Sequence, residues 1–413
     1  MMNKVDISNK LLLCVFMLSF ILAGCTTTGG QKSTHKAGPK SSSSYTEKVV
    51  AVVAAQPKLD VIIPIFDPGL AEHEGNYADE GIWPELRRAE ANRFAYKLKQ
   101  ALDNSNMFGA VRVTPDETAS GDIYVLGKIN ESNGQEVEFD LNIVDIAGKE
   151  WFDDSFEHEV LESFYNDIRN ENKDPYAPAF KEAADDIIKA LQKRNATELE
   201  NLKTIADLRF GASFNDAAFM EYMDSEGKYI KLVSQPSDND PLLQRVIAIR
   251  VREQLFIDNL QQNYASFSQN MDESYLKWQQ ASFTETKLQQ EAKNEGIFKA
   301  VGGAVLIGLA IAAAAASGDS ELADAGLDTA AILGGIGGVY LLSSGFKSKE
   351  EAKLHQDAIN EIGESINIEL APQVVSFENE TVELTGNVQQ QFAQWREFLN
   401  RIYQQETTPN TAL

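Results

Sequence analysis

The feature that most constrains the fold is a long stretch without a helix breaker. No glycine or proline occurs between Pro241 and Gly296, and Asp240 and Pro241 suit the N-cap and the first position of a helix. Within it, apolar and aromatic residues recur at steps of eleven: Ile249, Leu260, Met271; Phe256, Phe267, Trp278; Tyr264, Tyr275. Because eleven residues make three turns, this stripe stays on one face of a nearly straight helix, as in a coiled coil. We predict a long helix over 241–291, roughly 75 Å in length, whose stripe is covered by shorter helices of this chain or by another subunit.

The region 56–193 shows an α/β pattern. A buried strand near 59–66 precedes an amphipathic helix over 83–105, and short strands then lead to a helix over 177–191. The segment EVEFDLNIV alternates Val137, Phe139, Leu141 and Ile143 towards one side, which is typical of a half-buried strand. The sequence therefore predicts an α+β protein: an N-terminal three-layer-type α/β domain with a mostly antiparallel sheet, then a helical region over 194–295.

Two motifs of this region carry a family resemblance. SGDIYVLGKI begins at Ser120 and LNIVDIAGKEW begins at Leu141. This region resembles the periplasmic α/β domain of the curli-secretion lipoprotein and of the penicillin-binding-protein activator lipoproteins. The resemblance implies a domain that mediates assembly between proteins rather than catalysis.

The N-terminus has the pattern of an export signal. Lys4 and Lys10 precede an apolar stretch of about a dozen residues, which is too short to span a membrane as a mature helix. The residues that follow, Leu-Ala-Gly-Cys ending at Cys25, resemble the lipobox of bacterial lipoproteins. That resemblance implies removal of residues 1–24, acylation of Cys25 with diacylglycerol and palmitate-type chains, and, because Thr26 stands where Asp would retain the protein in the inner membrane, an outer-membrane location. Residues 25–55 are then a flexible tether.

A second apolar feature lies at 296–346, where two glycine-rich arms flank an acidic loop. Small residues recur every fourth position in each arm, and we predict that they pack helix against helix: Ala300, Ala304, Gly308, Ala312 and Ala316 in the first, and Ala330, Gly334 and Gly338 in the second. This spacing resembles the glycine-zipper hairpin of some outer-envelope lipoproteins. Each arm holds about eighteen uncharged residues, or roughly 27 Å of helix. Two alternatives stay open: a hairpin inserted in a membrane as an oligomer, or one buried within a soluble helical assembly.

The C-terminal part, residues 347–406, predicts a helix, a short β-hairpin and a final helix packed on the long helix. The final helix carries Phe392, Trp395, Leu399 and Ile402 on one face.

Composition and motifs argue against several functions. The net charge of −25 disfavours nucleic acid and anionic lipid surfaces as partners. None of His35, His73, His158 and His355 has the spacing of a metal site, and His158 is expected at the surface beside Glu157 and Glu159. No nucleophile elbow or phosphate-binding loop occurs, and the mature chain would have no cysteine besides Cys25.

The sequence therefore predicts a lipoprotein that is not an enzyme, with no cofactor and no metal. Its expected partners are membrane lipid through acylated Cys25, envelope proteins of a secretion, polysaccharide or cell-wall machine, and further copies of itself. The alternative is a membrane-inserting oligomer with a pore-forming or bilayer-modifying role.

Overall fold

The structure, a computed structural model, describes most of the chain beyond residue 56. The described residues are 40–41, 57–70, 77, 82–225, 227–237, 239–294, 349–377 and 380–407. Those from Lys40 onward belong to one compact unit. The predicted signal peptide, almost all of the tether and the whole glycine-rich segment 296–346 lie outside the described residues.

A mixed sheet forms the centre of the α/β region. The described part of the chain contains six strands of this sheet: β1 (Lys40–Ser41), β2 (Val61–Pro64), β3 (Val111–Thr114), β4 (Ile123–Ser132), β5 (Glu136–Asp145) and β6 (Glu150–Glu159). Their order is β1-β6-β5-β4-β2-β3. The long pairings, β4 with β5 and β5 with β6, are antiparallel, whereas β2 runs parallel to both β3 and β4 and β1 runs parallel to β6. The predicted α+β class is confirmed.

Helices make up most of the remainder. They are α1 (Pro84–Ser105), α2 (Glu162–Asn166), α3 (Ala177–Gln192), α4 (Ala196–Ala212), α5 (Asp216–Phe219), α6 (Pro241–Asn294), α7 (Lys349–Gly363) and α8 (Val388–Thr407). Two antiparallel strand pairs and two 3-10 helices complete the described elements: β7 (Met223–Asp224) with β8 (Lys231–Leu232), β9 (Gln373–Phe377) with β10 (Glu380–Leu384), and the 3-10 helices Ile168–Asn170 and Met220–Tyr222. Among the described residues, no helix combines the length and apolar character that a membrane crossing requires.

One face of the sheet packs against α1 and α3. The ring of Phe139 on β5 lies 6.1 Å from that of Phe94 on α1 and 5.2 Å from that of Phe180 on α3. The residues that alternate with Phe139 along β5 are buried on the same face, as the period of two predicts. Such ring pairs add to the free energy of burial by about 0.5–1.5 kcal/mol each.

The predicted long helix is α6, which ends three residues beyond the expected Glu291. At its start, the side chain of Asp240 accepts a hydrogen bond from the backbone N–H of Leu242 at 2.8 Å, as an N-cap does. The eleven-residue stripe is buried except for the half-buried Phe267. Contacts come from α1, α4, α7 and α8, so this chain covers the stripe itself.

The helix α6 also closes one edge of the sheet. The side-chain amide of Gln261 accepts a hydrogen bond from the backbone N–H of Val113 and donates one to its carbonyl, both at 2.9 Å. On the same strand, the Arg112 guanidinium contacts both carboxylate oxygens of Asp258, at 2.6 and 3.1 Å. The Gln261 contacts satisfy backbone groups that an edge strand otherwise leaves open, and the Arg112–Asp258 pair links the same strand to α6 through side chains.

The C-terminal helix, hairpin and helix are observed as predicted. The ring of Phe256 on α6 stacks on Trp395 of α8 at 5.6 Å, and the side chain of Ser274 on α6 is hydrogen-bonded to His355 of α7 at 3.0 Å. The predicted inward face of α8 is buried: Phe392, Trp395, Leu399 and Ile402.

The surface position expected for His158 is wrong. Its side chain is only 2% exposed because its register places it opposite Val137, on the buried face of the sheet. Burial without a hydrogen-bond partner for Nε2 lowers the pKa of His158 to about 4. The acidic neighbours that suggested a surface site point to the other face, since successive side chains of a strand alternate.

Candidate functional site

None of the residues predicted to act in anchoring or helix packing is described by the structure. Cys25 and the small residues of the two arms, Ala300, Ala304, Gly308, Ala312, Ala316, Ala330, Gly334 and Gly338, all lie outside the described residues. Their roles stay predictions. The sites that the structure does show are two buried polar clusters between α6 and the rest of the chain.

The first cluster is centred on Arg93 of α1, whose side chain is 1% exposed. Its guanidinium forms ion pairs with Asp174, at 2.8 Å, and with Asp272 of α6. The same group lies over the ring of Tyr275, with Cζ 4.5 Å from the ring centre. A single side chain of the α/β region therefore holds both α6 and the segment that leads into α3.

A buried carboxylate continues this cluster into the core. Glu90, which is fully buried, accepts hydrogen bonds from the hydroxyl of Tyr275 at 2.7 Å and from that of Ser132 on β4. The backbone N–H of Gly134 donates to the hydroxyl of Tyr176 at 2.8 Å. Together, Glu90, Arg93, Ser132, Asp174, Tyr176, Asp272 and Tyr275 form what we call the Arg93 cluster.

The pKa values of the two buried carboxyl groups in the Arg93 cluster shift in opposite directions. Burial raises the pKa of the Glu90 carboxyl, against the smaller opposing effects of Arg87, Ser132, Tyr275 and Arg93. Burial alone would also raise the pKa of Asp174, but the charges of Arg93 and Lys97 outweigh it and lower that pKa. Burial and the charge of Arg93 lower the pKa of Lys97.

A cleft of about 940 Å³ opens beside the Arg93 cluster, between α1, α6 and the segment 164–175. Its walls carry both charges, with Lys97, Lys173 and Lys277 facing Asp167 and Glu171, and its rim includes Ile168, which is 83% exposed. Because its walls carry both positive and negative side chains, the cleft does not favour a ligand of one particular charge.

The second cluster is centred on Glu253 of α6, which is fully buried. One carboxylate oxygen accepts from the backbone N–H of Ser120 at 3.1 Å, and the other lies 3.3 Å from Nε of Arg396 on α8. Nearby, Arg250 of α6 pairs with Asp122 at 3.3 Å and with Asp207 of α4 at 2.6 Å.

Burial raises the pKa of Glu253 to about 7, although Arg396, the Ser120 amide and Arg250 oppose it. The carboxyl faces a cleft of about 620 Å³ between α8 and α4. This Glu253 cluster therefore joins α6, the loop before β4, and α8.

Within each cluster the charged side chains pair with one another. Arg93, Arg250 and Glu253 each have a partner on a different element, which fastens α6 to the sheet region on one side and to α8 on the other. Within the described part of the chain, no group of three or more His, Cys, Asp and Glu side chains could hold a metal ion. The ion pairs of the two clusters therefore hold α6 against α1, α4 and α8.

Sequence reasoning missed both clusters. It assigned Tyr275 to the apolar stripe. The ring of Tyr275 is buried as that assignment predicts, but its hydroxyl group donates a hydrogen bond to Glu90, which the assignment did not predict. A usable signal was the polar side of α1, where Arg87, Glu90, Asn92 and Arg93 follow one another closely. All four are buried, because α1 has the sheet on one side and contacts α6 and α7 as well.

Comparison of the chain with protein-family models, with curated proteins and with solved structures gives no match.

Proposed function

We propose that this chain is a lipid-anchored lipoprotein of the outer membrane, mainly periplasmic, that acts as a non-catalytic assembly component of an envelope machine. The observation that carries the proposal is the tetrapeptide ending at Cys25, placed directly after an apolar stretch of signal-peptide length. Two or three acyl chains on one cysteine give stable anchoring, whereas a single chain gives marginal binding.

The assembly role is supported by how the described residues are held together. The buried charges around Arg93 and Glu253 are engaged by the chain's own elements, and they fix α6 along much of its length of about 80 Å. A helix held in this way is a rigid element. In the sequence, the glycine-rich segment 296–346 follows directly after the end of this helix.

A second candidate function is a membrane-inserting oligomer. The spacing of Gly334 and Gly338, and of the small residues in the first arm, favours close helix contact of the kind found in membranes. Lys293, Lys299, Lys347 and Lys349 flank the apolar arms, whereas acidic residues fill the loop between them. Glycine costs a helix about 1 kcal/mol relative to alanine, a cost that close backbone contact would offset.

Membrane fractionation tests the anchoring proposal. Wild-type protein should be found with outer membranes on a density gradient, and a Cys25→Ser form should lose the acyl anchor. The proposal is wrong if wild-type protein is recovered in the soluble periplasmic fraction.

Alkaline carbonate extraction of the Cys25→Ser form separates the two candidate functions. Release into the soluble fraction supports a peripheral assembly component, and retention supports an inserted hairpin. In the second case, replacing Gly334 and Gly338 with leucine should abolish crosslinked oligomers, because bulky side chains separate the backbones.

A further inference from the structure

The two edges of the central sheet differ in how far their backbone groups are paired. At the β3 edge, Gln261 of α6 pairs with the backbone N–H and C=O of Val113, and Asp258 of α6 pairs with the Arg112 side chain. At the other edge, β1 pairs with β6 only through Lys40 opposite His158 and Ser41 opposite Glu159. Among the described residues, no strand pairs with the outer side of residues 150–157, an edge on the order of 26 Å long.

The open part of β6 is strongly acidic. Its exposed side chains are Glu150, Asp153, Asp154, Ser155 and Glu157, and no lysine or arginine lies between Glu150 and Glu159. The acidic surface continues onto β5, where Glu138 lies opposite Glu157. Burial raises the pKa of Glu136 on β5, and the carboxylates of Glu131, Glu159, Glu157 and Glu138 raise it further. This edge therefore carries a concentrated negative potential.

An open edge presents a row of backbone donors and acceptors, and an added strand can pair with it. The chain itself gives an example, since β1 lies on the end of this edge in parallel register and begins with Lys40. A second copy of the chain is disfavoured, because pairing two β6 edges would bring like charges together across the new strand pair.

We propose that the outer edge of β6, residues 150–157, is a docking site for an extended basic segment of a partner protein, which adds to the sheet as a further strand. Main-chain hydrogen bonds supply the pairing, and lysine or arginine side chains of the partner meet Asp153 and Glu157, which share the outer face of the sheet. The inference rests on the proposed assembly role and names the chemistry of one partner.

The test uses the purified full chain and a fluorescein-labelled peptide of four Lys-Val repeats, followed by fluorescence anisotropy. We expect saturable binding that weakens as sodium chloride is raised, because salt screens exposed charges. The same peptide with alternate backbone amides methylated should bind about tenfold more weakly or worse, since it cannot donate to the edge. A peptide of Glu-Val repeats should not bind.

A matched pair of variants locates the site. The double variant Asp153→Lys, Glu157→Lys changes two acidic residues on the same face of β6 and should lose about tenfold or more in affinity. The double variant Glu200→Lys, Glu221→Lys makes the same change of charge at exposed positions on other elements and should bind like the wild type.

Three results would overturn the inference. They are no binding of the Lys-Val peptide, equal binding of its methylated form, and a self-association of the chain that the Asp153 and Glu157 changes abolish. The Cys25→Ser chain should bind the peptide as well as the wild type does, so failure here leaves the anchoring proposal standing, and the reverse also holds.

Discussion

The buried carboxyl of Glu253 makes a quantitative prediction about pH. Its pKa is raised by burial from 4.5 to about 7 in the folded protein. Each pKa unit corresponds to about 1.4 kcal/mol, so the shift is worth about 3 kcal/mol. Because the folded-state pKa lies above the unfolded one, the favourable contribution is complete below pH 4.5 and is lost as the pH rises through 7.

The substitution Glu253→Gln removes the ionisation and keeps an oxygen that can accept from the Ser120 amide. The charged groups facing this position are Arg250 on its own helix, Asp116 on the loop before β4 and Arg396 on α8. We expect the free energy of unfolding of Glu253→Gln, relative to wild type, to rise by about 2–3 kcal/mol between pH 5 and pH 8.

Urea unfolding of both proteins at pH 5, 6, 7 and 8 measures this difference directly. The comparison cancels the titration of other groups, which the two chains share. Glu117→Gln, which removes an exposed carboxylate from the same loop, serves as the control and should follow the wild type. A difference between Glu253→Gln and wild type that stays constant from pH 5 to pH 8 would refute the reasoning.

Three further predictions concern the attachment of α6. Arg93→Met should lower the free energy of unfolding by about 3–5 kcal/mol, because it leaves the buried carboxylate of Asp174 without its cation. Gln261→Met should cost about 1–3 kcal/mol, because the backbone groups of Val113 on the sheet edge lose their partner. Gly134→Ala should be strongly destabilising, because a Cβ there would lie 2.6 Å from the carbonyl oxygen of Gln279 on α6 and the backbone φ is +84°. Urea or thermal unfolding followed by circular dichroism measures all three.

Each of these variants has a matched control. Arg169→Met removes an exposed arginine paired with Asp167 and should leave stability unchanged. Gln262→Met changes the adjacent glutamine, which is exposed and donates a hydrogen bond to Ser266 within its own helix. Gly148→Ala has nearly the same φ, +83°, with nothing within 4 Å of the added Cβ, so it should cost only about 1–2 kcal/mol. A variant that is no less stable than its control would contradict the corresponding contact.

Periodicity predicted the elements well because it reports directly on which side chains are buried. The eleven-residue stripe gave α6 within three residues at its end, and the alternation around Phe139 gave β5 with the correct inward face. Both signals are local. They depend on side chains that face one layer of neighbours.

The clusters were not predicted because they depend on where a third element lies. On α1 the polar side is buried as well as the apolar side, and only the tertiary packing of α6 shows that Arg93 becomes a centre of ion pairs. His158 illustrates the same limit on a strand, since its face is fixed by register with Val137 and not by its acidic neighbours. The closure of the β3 edge by Gln261 joins positions 148 residues apart, a distance at which no local pattern operates.

The most direct test of the proposed function is the mass of the N-terminal peptide of the mature protein, isolated from bacterial membranes. The account predicts that this peptide begins at Cys25 and carries diacylglycerol on its thiol and an acyl group on its amine. A mature N-terminus at another residue, or an unmodified thiol at Cys25, would contradict it.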